Sequence, residues 1–155
     1  MTGYLHRGYI HVGYNHDGCS TGEHGRLTII THITLASLPV RDQDKALDFF
    51  VTKLGMTVRT DQPYGPGARW IEVGPAGSET GLVLFKTDDD AAYAQPMANV
   101  LLGCDDAAAT AARLREAGAD ATDPQTEPWG TFTLVTEPDG RQICITQNDP
   151  VKHRG

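Results

Sequence analysis

One sequence pattern occurs twice in this chain, and this repetition constrains the fold more than any other feature. The first copy reads as a strand, a helix that ends at a glycine, and three further strands: ITHITLAS, DQDKALDFFVTKLG, MTVRT, ARWIEV and GLVLF. The second copy is weaker but keeps the order: MANVLLG, DDAAATAARLREAG, ADATD, TFTLVTEPDG and RQICIT. One such unit cannot cover both faces of its sheet, so we expect two units to pack side by side around a shared pocket.

The repeat divides the 155 residues into one domain with two extensions. We predict modules over residues 28–87 and 97–148 of a single domain, with an N-terminal extension over residues 1–27 and a tail over 149–155. The extension contains several possible metal ligands: His6, His11, Cys19, His16 and His24. Their spacing follows neither one face of a helix nor one face of a strand, so a solvated arm, or an arm that closes on a partner subunit, is favoured over a metal site.

Composition excludes several partners. The 13 basic and 20 acidic residues give a net charge of −7, which argues against nucleic acid and anionic membranes, because both attract basic surfaces. No apolar stretch approaches the ~20 residues that a membrane-spanning helix needs, and no secretion leader is recognisable. The three cysteines, an odd number, favour a reduced, cytoplasmic setting.

Both predicted helices carry recognisable start and stop signals. Asp42 is a natural N-cap of the first helix, and Gly55 supplies the left-handed C-terminal stop. Asp105 or Asp106 begins the second helix, and Gly118 ends it. The first helix has an apolar stripe at helical spacing: Leu47, Phe50, Val51 and Leu54.

Alternation along the strands predicts which side chains face the helices and which face the pocket. The branched or aromatic sets favour the helix side: Ile33, Leu35, Ile71, Val73, Val83, Phe85, Val100, Leu102, Ile143 and Ile145. The opposite sets are then expected to line the pocket: His32, Trp70, Glu72, Leu84, Asn99 and Cys144.

The segments HITLASLPVRDQDKALDFFVTKLGM, RWIEVGPAGSETGLVLF and PWGTFTLVTEPDGRQICITQ resemble the vicinal oxygen chelate superfamily, which includes glyoxalases, bleomycin resistance proteins and extradiol dioxygenases. The likeness covers residues 28–148. It implies an α+β fold in which two βαβββ modules form a cupped, mostly antiparallel open sheet with helices on its outer face. It also implies a homodimer. Members include metal-dependent lyases, isomerases, dioxygenases and thiol transferases, and metal-free proteins that sequester drugs.

The resemblance also implies four metal-ligand positions, on the first and last strands of each module. They fall on His32, Leu84, Asn99 and Cys144, where members use His, Gln or Glu. Only His32 matches, so we expect no metal cofactor. The alternative is one divalent metal ion held by a relocated set of His32, Glu72 and Cys144. The simpler interpretation makes His32 a hydrogen-bonded wall residue and Cys144 a small buried hydrophobe.

Aromatic residues favour a binding role. Trp70 lies on a pocket strand after the PYGPG loop, and Trp129 precedes the penultimate strand in EPWG; either could instead be a packing residue. We therefore predict a metal-free protein that binds a small molecule, a drug or metabolite, through His32, Trp70, Glu72, Leu84, Asn99, Trp129 and Cys144. The acidic composition would suit a cationic ligand.

Two enzymatic alternatives remain open. The first is a divergent metal-dependent lyase or dioxygenase that uses the relocated metal site. The second is a metal-free catalyst in which His32 or Glu72 serves as general base, tuned by its surroundings.

Overall fold

The computed structural model of the protein describes Ile30 and residues 32–148, and the compact unit considered below begins at His32. Module 1 comprises β1 (Leu35–Val40), α1 (Gln43–Asp48), β2 (Thr57–Pro63), β3 (Arg69–Gly74) and β4 (Gly81–Lys86). Module 2 comprises β5 (Met97–Cys104), α2 (Ala107–Glu116), β6 (Gln125–Glu127), β7 (Gly130–Thr136) and β8 (Gln142–Gln147). A π-helical turn (Phe49–Lys53) extends α1, and a short 3-10 helix (Asp90–Tyr93) precedes β5. The predicted α+β class and repeated element order are confirmed, whereas the histidines of the extension lie outside the described residues.

Each module forms its own four-stranded mixed sheet. The strand orders are β1-β4-β3-β2 and β5-β8-β7-β6. In both sheets the first and last strands of the module pair in parallel, and the other neighbours are antiparallel. The parallel pair requires the helical crossover that the repeat supplies. Pro39 is tolerated in β1 because this strand lies at the edge of its sheet.

The helix boundaries follow the predicted signals. The Asp42 carboxylate accepts hydrogen bonds from the backbone N–H groups of Asp44 and Lys45, at 3.0 and 3.1 Å. These bonds, led by the one from Lys45, hold the pKa of Asp42 below its usual value. Asp106, rather than Asp105, caps α2. Gly55 and Gly118 adopt φ of 72° and 77°, the left-handed conformation expected after a helix.

The two modules share one hydrophobic core through the faces of their sheets that carry the helices. The core joins Leu38 and Phe50 of module 1 to Leu114 and Ile143 of module 2. The opposite face of each sheet, called its open face below, has no helix packed on it within the described unit. The open faces are therefore turned away from the shared core, and the single pocket expected between the modules of one chain is not formed in this way.

Strand β1 begins later than predicted and faces the other way. Leu38 and Val40 are buried, whereas Ile33 lies before the strand and its surface is 71% exposed. His32 also precedes β1 and is exposed. The prediction that Ile33 and Leu35 face the helices and that His32 lies on a pocket strand is wrong. The residues that β1 buries next to the start of α1 are Leu38 and Val40, and they point to the opposite face of the strand from Ile33 and Leu35.

The predicted orientation of β4 is also wrong. Ala36 pairs with Leu82, and Leu38 pairs with Leu84, so both leucines share the inward face of β1. Leu84 is 0% exposed within the core, while Phe85 is 52% exposed. Leu84 therefore does not line an open face.

A buried ion pair fastens module 2 to module 1 at the EPDG turn. Arg141 Nε donates to Glu137 Oε1 at 2.9 Å, and Arg141 NH2 donates to the backbone carbonyl of Pro39 at 2.7 Å. Asp139, in the same turn, accepts a hydrogen bond from the backbone N–H of Arg41 at 3.1 Å. The turn thus holds the end of β1 by hydrogen bonds from both sides of the junction.

Candidate binding site on the open faces

An aromatic cleft of about 240 Å³ lies on the open face of sheet 1. The rings of Tyr64 and Trp70 meet edge to face with centroids 5.7 Å apart. Tyr64 belongs to the loop between β2 and β3, and the hydrogen bond from its backbone N–H to the carbonyl of Ala68, 2.9 Å long, closes that loop. The rest of the lining alternates along strands β1, β3 and β4 or flanks them: Ser37, Arg69, Val83, Phe85 and Lys86. The predicted outward orientation of Trp70 is correct.

The open face of sheet 2 carries a second aromatic pair. Trp129, in the turn before β7, stacks on Phe132 with centroids 4.7 Å apart and rings inclined by 20°. Leu101 pairs with Cys144 across β5 and β8, so both lie on this face. Leu101 is 64% exposed, and Trp129 is 52% exposed. These are large apolar surfaces for a sheet face with no helix on it.

The predicted orientations in β5 and β8 agree with the burial pattern. Val100 and Leu102 pack against the core, and Asn99 is exposed on the open face. Cys144 is buried against its strand neighbours, and this burial raises the pKa of its thiol. A thiol so perturbed is not an activated nucleophile.

Glu72 lies on the open face of sheet 1, as predicted, but it is paired with Arg59. The two side chains are 3.3 Å apart between Arg59 NH1 and Glu72 Oε1. Val58 pairs with Val73 on the helix-facing side, so alternation along β2 turns the next side chain, Arg59, to the open face, at the register shift between Val58 and Thr60. There Arg59 also donates to the backbone carbonyls of Ser78, Glu79 and Thr80, which fixes the turn before β4.

Two glycines make room for this ion pair. A Cβ atom at Gly74 would lie 2.7 Å from Arg59 NH2, and one at Gly81 would lie 2.9 Å from Arg59 NH1. Both distances are shorter than real Cβ contacts, so a side chain at either glycine would have to displace the ion pair. The Glu72 carboxylate therefore has a structural partner, and its role as a general base remains a prediction.

A family model described as Glyoxalase/Bleomycin resistance protein/Dioxygenase superfamily matches residues 29–145. The chain belongs to this superfamily. It is 33% identical over 120 residues to the uncharacterized protein YetH of Bacillus subtilis (strain 168), an alignment that covers 77% of this chain and 100% of YetH.

Solved structures of superfamily members have the same fold. TnmS3, an antibiotic binding protein from Streptomyces sp. CB03234, is 38% identical, with a TM-score of 0.67 over 78% of this chain and 98% of TnmS3. A bleomycin resistance determinant encoded on the transposon Tn5 is 22% identical, with a TM-score of 0.61 over 77% of this chain and 99% of that protein. At that identity the second likeness shows the fold alone.

When the two modules are aligned at their helix caps, different residues of module 1 fall on the two metal-ligand positions implied by the superfamily. With Asp42 placed on Asp106, the first-strand residue equivalent to Asn99 is Leu35 rather than His32. The last-strand residue equivalent to Cys144 is Val83 rather than Leu84, because they pair with equivalent residues of β1 and β5.

This donor set does not fit the divalent metal of the metal-dependent members. Leu35 and Val83 have no ligand atom, and Asn99 and Cys144 supply one amide and one thiol. Among Ile30 and residues 32–148, no three side chains of His, Cys, Asp or Glu are grouped closely enough to hold a metal ion. The described residues of one chain therefore do not bring His32, Glu72 and Cys144 together as a metal site, and the absence of a metal cofactor stays a prediction.

Two larger clefts lie on the helix side, where the modules meet. One, of about 590 Å³, is lined mainly by charged and polar groups such as Asp44, Lys53 and Asp120. The other, of about 480 Å³, runs from the end of the π-helical turn to α2. Neither contains an aromatic pair, so the open faces are the better candidate for a flat ligand.

The loop that contains Tyr64 was expected near the pocket, but several other residues of the open faces were missed as site residues: Ser37, Arg69, Val83, Phe85, Lys86 and Phe132. Phe132 is the module 2 counterpart of Trp70, because the strand pairings place both two residues before equivalent positions of β3 and β7. The available signal was the helix cap. Counting strand parity back from Asp42 and Asp106 places Leu35, Ser37, Asn99 and Leu101 on equivalent positions.

Proposed function

We propose that this protein is a metal-free binding protein for a flat, largely apolar small molecule such as an antibiotic or a related metabolite. The observation that carries the proposal is the aromatic cleft of Tyr64, Trp70 and Phe85 on the open face of sheet 1. Flat rings bind well against aromatic walls, and apolar burial supplies most of the affinity. The likeness to TnmS3, an antibiotic binding protein, supports the same assignment.

We further propose that the protein acts as a homodimer in which a second chain covers the cleft. Each open face exposes large apolar side chains, among them Phe85 and Leu101. A cleft of about 240 Å³ is smaller than the 300–1,000 Å³ typical of sites for drug-sized ligands. A facing sheet from a partner would enlarge the enclosed volume and bury both apolar surfaces.

Sedimentation velocity tests the dimer. Leu101→Glu places a charge on the open face and is expected to shift the protein towards monomer. Val58→Glu is the matched control, because Val58 is 45% exposed and pairs with Val73 on the helix-facing side of its sheet. A monomeric wild-type protein at about 50 µM would contradict the dimer.

A thermal shift assay tests the binding function, with bleomycin, tetracycline and 2-naphthylmethanol as probes, each with and without EDTA. A ligand at ten times its Kd should raise the Tm by about 3–6 °C for a chain of this length. Trp70→Leu should remove the shift, and EDTA should not.

Metal content provides the opposing test. Inductively coupled plasma mass spectrometry on protein purified without chelator should find well below one equivalent of zinc, nickel, iron or manganese. About one bound equivalent, together with stabilisation by metal but by none of the three probes, would overturn the proposal in favour of a metal-dependent lyase or dioxygenase.

A further inference from the structure

Hydrogen-bond donors surround the aromatic cleft of sheet 1. Trp70 offers an indole N–H, and Lys86 and Arg69 have donors only. Ser37 and Tyr64 add hydroxyl groups. Within the described part of the chain, none of the cleft-lining side chains is a carboxylate.

The donors differ in whether they are already engaged. Arg69 donates to Asp44 at 2.5 Å and lies 3.4 Å from Asp61, so its charge is compensated. By contrast, Lys86 Nζ donates only to the backbone carbonyl of Gly67, at 3.3 Å, and no carboxylate among the described residues lies within 4.0 Å of it. Lys86 also lowers the pKa of the Asp42 carboxyl, but its effect is the smallest of those acting on that group.

The unengaged hydroxyl and indole groups point to the same chemistry. No hydrogen bond is assigned to the side chains of Ser37, Tyr64 or Trp70 within residues 32–148. A ligand that carries acceptor oxygens would satisfy these donors, whereas a ligand that carries only donors would offer no acceptor to the Trp70 N–H or to the Lys86 ammonium.

We propose that the ligand of this cleft is a flat aromatic molecule that bears an acidic oxygen group, such as a carboxylate or a phenolate, and that Lys86 is the residue that selects for this charge. The inference rests on the proposed binding function. It reverses the expectation, drawn from the net charge of −7, that the ligand would be cationic. The local charge beside the rings decides ligand preference, since distant charges are screened within about 8–10 Å at ordinary ionic strength.

Three probes with one ring system separate charge from shape: 2-naphthoate, 2-naphthylmethanol and 2-naphthylmethylammonium. Isothermal titration calorimetry on the full chain at pH 7 should rank them in that order of decreasing affinity. A partly exposed ion pair contributes up to about fivefold in Kd, so naphthoate should bind about three- to fivefold tighter than the alcohol. The cation should bind more weakly than the alcohol.

Variants at Lys86 complete the test. Lys86→Met should remove the preference for naphthoate, and Lys86→Arg should retain it. Lys45→Met is the matched control, since it removes the same charge from the exposed surface of α1 outside the cleft lining. The preference should survive that change.

Each contrary result has a separate meaning. Equal binding of the three probes, tighter binding of the cation, or a preference that persists in Lys86→Met would overturn the charge inference and leave the binding function standing. Failure of every probe to bind, up to its solubility limit, would count against both the charge inference and the proposed function.

Discussion

The buried ion pair between Glu137 and Arg141 allows a quantitative test of how the two modules are joined. The side chains are 0% and 5% exposed, respectively. Glu137 Oε1 accepts from Arg141 Nε at 2.9 Å and from the Arg141 backbone N–H at 3.1 Å, and its Oε2 accepts from the Asp139 N–H at 3.0 Å. Every carboxylate contact therefore belongs to the turn.

Removing the carboxylate leaves a buried guanidinium without its ion-pair partner. Glu137→Ala is expected to lower the free energy of unfolding by about 3–5 kcal/mol, a range typical of broken buried pairs. The lower end is favoured, because Arg141 keeps its bonds to the carbonyls of Pro39, at 2.7 Å, and Ala92, at 3.4 Å. Glu137→Gln preserves the shape and keeps one acceptor oxygen, which can serve both N–H groups of Arg141, so it should cost less, about 1–2 kcal/mol.

A double-mutant cycle isolates the pair itself. Glu137→Gln combined with Arg141→Met removes both charges together, and the loss should be smaller than the sum of the single losses by about 1–2 kcal/mol. Urea unfolding followed by tryptophan fluorescence measures each value, with Trp70 reporting on module 1 and Trp129 on module 2. A loss below about 1 kcal/mol for Glu137→Ala, or a cycle that is additive within about 0.5 kcal/mol, would refute the reasoning.

Three other outcomes follow from local features. Burial raises the pKa of Asp139, so its carboxylate costs stability once the pH rises above 3.8, the pKa of this group in the unfolded chain. Asp139→Asn should therefore raise the Tm by about 1–2 °C at pH 7 in differential scanning calorimetry. No gain at pH 7 would contradict this. The gain should vanish below pH 3.8. Gly118→Ala forces a side chain into φ of 77° with nothing within 4 Å, so urea denaturation should show a loss of about 1 kcal/mol from conformation alone, partly recovered in Gly118→Asn. Two variants in which serine replaces Cys19 and either Cys104 or Cys144 leave one cysteine each. Cys144 should react with a disulfide reagent at pH 8 several-fold more slowly than Cys104, because burial raises the pKa of the Cys144 thiol. Equal rates would exclude that explanation.

Local sequence determined where the helices begin and end, and it determined the orientation of several strands. Asp42 and Asp106 cap their helices and Gly55 and Gly118 end them, because each signal acts through backbone groups only a few residues away. In β3 and β5 one of the two alternating sets contains a polar residue in the interior of the strand, Glu72 or Asn99, so parity separated Trp70 and Asn99 from the core. The superfamily was likewise recognisable from contiguous segments.

Only the tertiary structure decided the orientation of β4. In GLVLF both alternating sets are apolar, so hydrophobicity cannot tell which set faces the helices. The pairing of Leu38 with Leu84 settles the question, and it depends on where α1 places the end of β1. That register removed Leu84 from the open face and placed Phe85 and Lys86 beside the cleft.

Polar contacts between distant residues were equally hidden. Arg59 reaches Glu72 only once β2 has paired with β3, and Gly74 and Gly81 leave space for its guanidinium there. Arg141 meets the carbonyl of Pro39 only after the modules have packed together. The sequence alone thus determined which elements form and the family to which they belong. The packing of the modules decided which side chains share a face, since that depends on strand register and not on residue type.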